Sequence, residues 1–210
     1  MDIYKILKKL DTPIKVQNFL DGLPVNFEKH GETCYSPLSV LKHKKAHCME
    51  GALFASAAFM INGREPMLMH LRTGRDSRDD DHALALFRGG KGNKYWGAVS
   101  KTNHPVLRYR DAIYASPREL AMSYFHEYFD KFGNKTLLYY SRPFRIKKFG
   151  TDWITSNENL WHIDDALNNS PHIRITPKGM RAGELRRASK LERRATEMVE
   201  LKKTRNKGII

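Results

Sequence analysis

The sequence predicts an α+β domain in which one buried helix packs against an antiparallel sheet. Its 210 residues are 40% apolar and 29% charged, a composition that suffices to bury one substantial core. The stretch from Cys48 to Ile61 is apolar on nearly every face of a helix, and short apolar runs typical of strands follow it. These observations predict one domain over residues 1–176, followed by a basic helix and tail over residues 177–210.

Capping residues mark the helices of the first third of the chain. Thr12 and Ser36 each place a hydroxyl directly before a proline, a pair suited to the first helical turn. Each therefore predicts a short helix. The central helix begins at Cys48 and stops near Gly63, because glycine is a frequent C-terminal stop. Since this helix has no polar face, we expect the core to enclose it.

The sheet is predicted from three apolar runs at residues 67–71, 82–87 and 95–99. Segments rich in glycine and aspartate separate these runs, as is typical of strands joined by turns. Residues 88–94 predict a hairpin loop between the last two strands. These residues are rich in glycine, as phosphate-binding loops are. We do not expect such a loop here, because it requires a following helix and a strand is predicted instead.

The second half of the chain mixes helices and extended segments. Ser116 opens a capping box that predicts a helix through residue 129. Residues 135–146 are predicted to be extended, and residues 157–167 to form a short helix. A basic amphipathic helix is predicted over residues 183–203. Its apolar positions are Ala188, Leu191, Ala195 and Met198.

The charge is strongly positive and concentrated at the C-terminus. The chain carries a net charge of +14, and residues 177–210 contribute eleven Lys/Arg against four Glu, a net of +7. The predicted C-terminal helix is thus a candidate for contacting nucleic-acid phosphates. The alternative is a solvated helix whose glutamates form local ion pairs. The basic positions concerned are Arg186, Arg187, Lys190, Arg193, Arg194, Lys202 and Lys203.

Other features predict a cytoplasmic protein without a membrane partner. The longest apolar run is far shorter than the ~20 residues of a membrane-spanning helix, and the first residues lack a signal-peptide layout. Cys34 and Cys48 are the two cysteines, too few for a disulfide framework. His43 and His47 share a helical face, but no second ligand pair accompanies them. We therefore predict neither a metal site nor a cofactor.

Cys48 is the candidate nucleophile. At a helix N-terminus a thiol meets unpaired backbone N–H groups and the positive end of the helix dipole, and both favour the reactive thiolate. The alternative is a cysteine that serves only as a small buried apolar residue. Position alone does not decide between them.

The order of the surrounding parts resembles the transglutaminase-like superfamily, which has a papain-type Cys-His fold. Residues 40–48 match the family's catalytic cysteine and the segment that precedes it. Glu50-Gly51-Ala52 match the small residues that follow the cysteine in the family. Its histidine strand is matched by residues 82–86, and the aromatic residue of its next strand by Trp96. The resemblance covers residues 36–104.

The resemblance implies a catalytic set and a reaction. Cys48 would attack an amide or peptide carbonyl to form a thioester, and His82 would take and return the proton. The family's third residue is an aspartate four positions after the tryptophan, where this chain has Ser100. Asn103 is the other candidate, and slightly preferred, since an amide also orients the histidine in papain-like enzymes. Hydrolysis of a peptide or small amide is favoured over transfer to an amine.

The departure at Ser100 also supports an alternative. An inactive member of the same fold would act as a binding module that associates with nucleic acid or a ribonucleoprotein through its C-terminal helix.

Substrate contacts are predicted on both sides of Asn103. Trp96 precedes it on the strand, and Arg108 and Arg110 follow it, where they would suit a carboxylate, a phosphate or an acidic peptide. The acidic run at residues 79–81 is either a solvated loop or a field that keeps His82 protonated.

Overall fold

The computed structural model describes residues 2–74, 77, 79–180 and 182–195, and confirms the predicted α+β class. The described helices are α1 (Ile3–Lys9), α2 (Pro13–Asp21), α3 (Pro37–His43), α4 (Cys48–Ile61), α5 (Pro117–Phe125), α6 (Trp161–Asn168) and α7 (Lys190–Ala195). The described strands are β1 (Met67–Thr73), β2 (His82–Gly89), β3 (Tyr95–Val99), β4 (Arg110–Tyr114), β5 (Leu137–Ser141), β6 (Phe144–Arg145) and β7 (His172–Arg174).

The seven strands form one antiparallel sheet in the order β4-β3-β2-β1-β5-β7, and β6 pairs with β1. The predicted hairpin joins β2 to β3, with Ala85 opposite Val99. The start of β2 and the residues just after β3 therefore meet at one edge of the sheet. Helix α4 packs against β2, and α1, α2 and α3 pack on α4.

Side-chain alternation along the strands separates two cores. On β2, Ala85 and Phe87 belong to the core shared with α4, whereas Leu84 and Leu86 belong to the core shared with α5. The sheet is thus buried on both faces, which explains why its central strands are continuous apolar runs. Among the described residues, no helix is long and apolar enough to cross a membrane.

The helices begin where their caps predict. The hydroxyls of Thr12, Ser36 and Ser116 accept from backbone N–H groups at the starts of α2, α3 and α5. The predicted central helix is confirmed as α4. Gly51 allows a close approach on this helix, because a Cβ there would lie 2.3 Å from Cβ of Lys101, just beyond β3.

Three sequence predictions need correction. Helix α5 ends at Phe125 rather than at residue 129, because residues 126–136 turn back toward β5. Strand β4 begins at Arg110, where no strand was predicted. The C-terminal helix begins at Lys190 instead of residue 183, and Leu191 of its predicted apolar stripe is 78% exposed. Residues 196–203, including Met198, lie outside the described part.

Candidate active site

Cys48 is the first residue of α4, where the backbone N–H groups of the first turn are free of helical partners. Two side chains cap this turn. The Nδ1 atom of His47 accepts from the Met49 N–H at 3.2 Å, and the Glu50 carboxylate accepts from the His47 N–H at 2.9 Å. Cys48 itself is partly exposed. The capping arrangement thus presents its sulfur at the positive end of the helix without sealing it off.

Glu50 is a fully buried carboxylate that ties the preceding loop to α4. Besides the His47 N–H, it accepts from the Asn26 amide at 3.1 Å and from the Thr33 hydroxyl at 2.7 Å. The Tyr35 N–H is a fourth donor, at 3.1 Å. Because a buried charge is tolerated only when its hydrogen bonds are made, this set fixes the loop of residues 26–35 against the nucleophile's helix.

His82 reaches Cys48 from the sheet. It is the first residue of β2 and is 6% exposed, and its ring lies near enough to the Cys48 thiol to lower the pKa of that thiol. Its Nε2 lies 2.6 Å from the hydroxyl oxygen of Ser100, so Nδ1 is the ring nitrogen left for the sulfur. The β2–β3 hairpin register carries Ser100 to this edge. His82 thus lies between Cys48 and Ser100 at one edge of the sheet.

Gln17 holds Ser100 in place from α2. Its side chain accepts from the Ser100 N–H at 3.0 Å and donates to the Ser100 carbonyl at 2.9 Å. The same amide donates to Asp21 at 2.9 Å, and Asp21 pairs with Arg108 at 2.7 Å. Gln17 is 4% exposed. The residue that orients His82 is therefore fixed through its backbone by a buried amide.

The surroundings of Cys48 favour its thiolate. Burial opposes ionisation, but hydrogen bonds from His47 and His82 and the charges of both rings hold the pKa of the thiol well below its usual value. Burial likewise lowers the pKa of His47, yet the Cys48 sulfur, Glu50 and the Thr33 carbonyl outweigh it and raise that pKa to about 10. In its protonated form, Nδ1 of His47 is a donor and no longer accepts from the Met49 N–H.

Cys34 has the opposite environment. It is 1% exposed, and its backbone is held by Asn159 and Leu160. Burial, with the nearby Asp164 and Glu50 carboxylates, raises the pKa of the Cys34 thiol. This cysteine therefore has the character of a packing residue.

A pocket of about 580 Å³ opens beside the Cys48–His82 pair. One wall comes from the loop before α4, a second from the residues before β2, and a third from the residues after β3 and α5. The described lining residues are Val25, Asn26, Phe27, Glu28, Ala46, His47, Cys48, Asp79, Asp80, Asp81, His82, Lys101, Thr102, Asn103, His104, Leu107, Glu127, Tyr128 and Phe129. A partly exposed thiol thus faces a cavity of the size that binds small molecules or peptide side chains.

The predicted site residues divide into those that line this pocket and those that do not. Cys48 and His82 line it together, and Asn103 lines it while Ser100 makes the hydrogen bond to His82. The three predicted substrate contacts lie outside its lining.

Each of those three side chains is engaged elsewhere. The guanidinium of Arg88 stacks on the Trp96 ring, and Arg108 pairs with Asp21. Arg110 pairs with Glu127 at 2.8 Å and stacks on Tyr124.

Sequence reasoning missed the residues that support the triad. Glu50, three positions after His47, fits a capping-box spacing, and this is the signal that could have found it. No local pattern marks Gln17, which lies 83 residues from Ser100.

Within the described ranges, no group of three or more His, Cys, Asp or Glu side chains is arranged to hold a metal ion. His70 hydrogen-bonds His172 at 3.0 Å and pairs with Asp81 at 3.2 Å. The contact between His70 and Asp81 joins β1 to the residue that directly precedes His82.

The chain was also compared with known proteins. No protein-family model matches it, and the search of curated proteins found no match.

Proposed function

We propose that this protein catalyses cysteine-dependent acyl transfer, with hydrolysis of an amide or peptide bond as the favoured reaction. The observation that carries the proposal is the chain of contacts from Cys48 through His82 to Ser100 at the edge of a 580 Å³ pocket. A nucleophile, a base in contact with it and a third group on the base are the parts that such chemistry requires.

The proposed mechanism has two half-reactions. The Cys48 thiolate attacks the substrate carbonyl, and the backbone N–H groups at the start of α4 stabilise the oxyanion that develops. The His82 imidazolium gives its proton to the leaving amine, the C–N bond breaks, and a thioester remains. His82 then takes a proton from water, whose oxygen attacks the thioester. The acid product leaves and the thiol is restored.

We also propose that the fold is of the transglutaminase-like type. The nucleophile begins the central helix, the base begins the strand on which that helix packs, and the third residue follows the next strand. This is the order of parts that the sequence resemblance implies.

The test is the rate at which iodoacetamide labels Cys48 in the folded protein as a function of pH, read by peptide mass. Because the pKa of the thiol is lowered, wild type should label quickly below pH 7, with its inflection on the acid side of an ordinary thiol. His82→Ala removes one hydrogen bond to the thiolate, so its inflection should move to higher pH. His30→Ala, at an exposed histidine, is the matched control. Slow labelling of wild type below pH 7 would contradict the proposal.

The alternative is an inactive module of the same fold that binds nucleic acid through its C-terminal helix. Ser100 favours it, since a hydroxyl carries no negative charge to stabilise the imidazolium. On this reading Cys48 labels slowly at neutral pH. Replacing Lys190 and Arg194 with alanine should then weaken binding to nucleic acid and reduce its salt dependence.

A further inference from the structure

The walls of the Cys48 pocket carry the opposite charge to the protein as a whole. Five carboxylates line it, from Glu28, Asp79, Asp80, Asp81 and Glu127. Among the described lining residues one side chain is a lysine or arginine, Lys101, and its Nζ donates to a backbone carbonyl. The chain nevertheless has a net charge of +14. The candidate nucleophile thus lies in an acidic recess of a basic molecule.

Arginines from outside the lining neutralise two of these five carboxylates. Asp81 lies 3.9 Å from Arg72, and Glu127 lies 2.8 Å from Arg110. Glu28 lies 3.8 Å from Nε2 of His47, whose pKa is raised to about 10. Asp79 and Asp80 form no ion pair with a histidine, lysine or arginine within the described part of the chain. Among the described residues, these two carboxylates therefore remain to act on a bound molecule.

The acidic surface continues past the first pocket. A second pocket of about 240 Å³ shares Glu28 and His47 with it and adds the carboxylates of Glu32 and Asp164. In the first pocket, Phe27 is an aromatic lining residue, and ring faces attract cations. The ring of Phe129 already has Nζ of Lys135 over it, at 4.9 Å. An extended cationic molecule would meet favourable groups along both pockets.

We propose that the substrate is a peptide that carries lysine or arginine side chains next to the bond attacked by Cys48. This inference rests on the proposed function and adds the substrate class to it. The carboxylates of Asp79 and Asp80 hold the cationic side chain, while Cys48 and His82 act on the neighbouring carbonyl. It also replaces the acidic substrate that Arg108 and Arg110 suggested from the sequence.

The experiment compares three methanethiosulfonate reagents that differ only in their free end, which is a trimethylammonium, a hydroxyl or a sulfonate. The Cys48 thiolate attacks the thiosulfonate sulfur, a mixed disulfide forms, and methanesulfinate leaves. Each rate is divided by that of the same reagent with 2-mercaptoethanol, and peptide mass identifies the cysteine. The ratio of the cationic to the anionic rate then reports the local potential at Cys48, whatever the absolute reactivity.

We expect the cationic reagent to react at least about fivefold faster at low ionic strength, and the preference to shrink with added salt. A thiol on the surface of so basic a chain would react faster with the anionic reagent. The preference expected for Cys48 is therefore the opposite of that for a surface thiol. Asp80→Asn should reduce it about two- to threefold, and adding Glu28→Gln should reduce it further. Asp111→Asn is the matched control, because Asp111 is also exposed but lies outside the pocket lining.

A second arm tests the substrate class directly with two p-nitrophenyl esters, those of Nα-acetyl-lysine and Nα-acetyl-glutamate. The lysine ester should turn over faster in wild type, and Asp80→Asn should reduce the difference. Equal reagent rates, or a preference for the sulfonate, overturn the inference and leave the Cys–His pair untouched. If Cys48 reacts slowly with all three reagents but still prefers the cationic one, the result contradicts the proposed function and not this inference.

Discussion

Ser100 is the residue that hydrogen-bonds His82, and it is the candidate for orienting that ring. Its hydroxyl lies 2.6 Å from Nε2, and the residue is fully buried. A carboxylate in this place would both orient the ring and stabilise its charge, whereas a hydroxyl supplies orientation alone. The thiolate is stabilised by His47 and His82 together.

Replacing Ser100 with alanine should slow iodoacetamide labelling of Cys48 at pH 7 about two- to tenfold, the equivalent of one neutral hydrogen bond. The measurement is the labelling rate of the folded variant. Asn103→Ala is the matched control, since Asn103 lines the pocket and was the other candidate for the third residue. If Asn103→Ala slowed the labelling of Cys48 as much as Ser100→Ala does, the orienting role would not belong to Ser100.

At this scale the sequence proposed Cys48 as the nucleophile and His82 as its partner, which the structure brings to one pocket, but left two choices for the third residue. Spacing from Trp96 pointed to Ser100, and side-chain chemistry pointed to Asn103. The bond from Ser100 to His82 depends on the hairpin register and on the clamp from Gln17. Neither is visible in local spacing, because both arise from contacts between distant segments.

The first turn of α4 carries Cys48, the candidate nucleophile. The side chain of Glu50 connects this turn to the preceding loop by hydrogen bonds. Four donors converge on this one buried carboxylate. Together they order the loop that forms one wall of the pocket. The positions of Cys48 and of that wall are thus set by the same side chain.

Glu50→Gln should lower the free energy of unfolding by about 1–3 kcal/mol, because a neutral amide offers one acceptor oxygen to four donors and adds N–H groups of its own. Urea unfolding measures the change. Glu158→Gln, at an exposed glutamate, should change it by less than about 0.5 kcal/mol. Equal stability of the two variants would show that Glu50 is not the fastening group.

Helices and strands were predictable wherever caps and apolar runs were strong. Helix α4 and strands β1 to β3 have continuous apolar sequence, and they lie where it predicts. Strand β4 was missed because it is a half-exposed edge strand that carries Arg110 and Asp111. The predicted C-terminal helix began too early, since helical spacing of apolar residues does not require that they be buried.

For the molecule as a whole, the sheet is covered on both faces, and α4 packs on the face opposite to α5. Leu86 belongs to the core with α5 and is fully buried. By strand alternation it shares its face of β2 with His82, which lies four positions earlier. Because of this separation, we expect stability and reactivity to be partly separable.

Leu86→Ala should lower the free energy of unfolding by about 2–5 kcal/mol, as expected for a cavity in a packed core. The labelling rate of Cys48 in the folded variant should stay within about twofold of wild type. Leu191→Ala is the matched control, because Leu191 is 78% exposed, and it should leave both quantities unchanged. A loss of labelling in folded Leu86→Ala would show that this core and the candidate site are coupled.

The two thiols of this chain should respond to unfolding in opposite directions. Cys48 owes its lowered pKa to His47 and to His82, and His82 comes from a different element that reaches the thiol only in the folded protein. Cys34 is shielded by the same folded structure, which raises its pKa. Below pH 7, denaturation should therefore slow the reaction of Cys48 and expose Cys34. One alkylating reagent thus gives two readouts from a single sample, one for the assembled site and one for the unfolded chain.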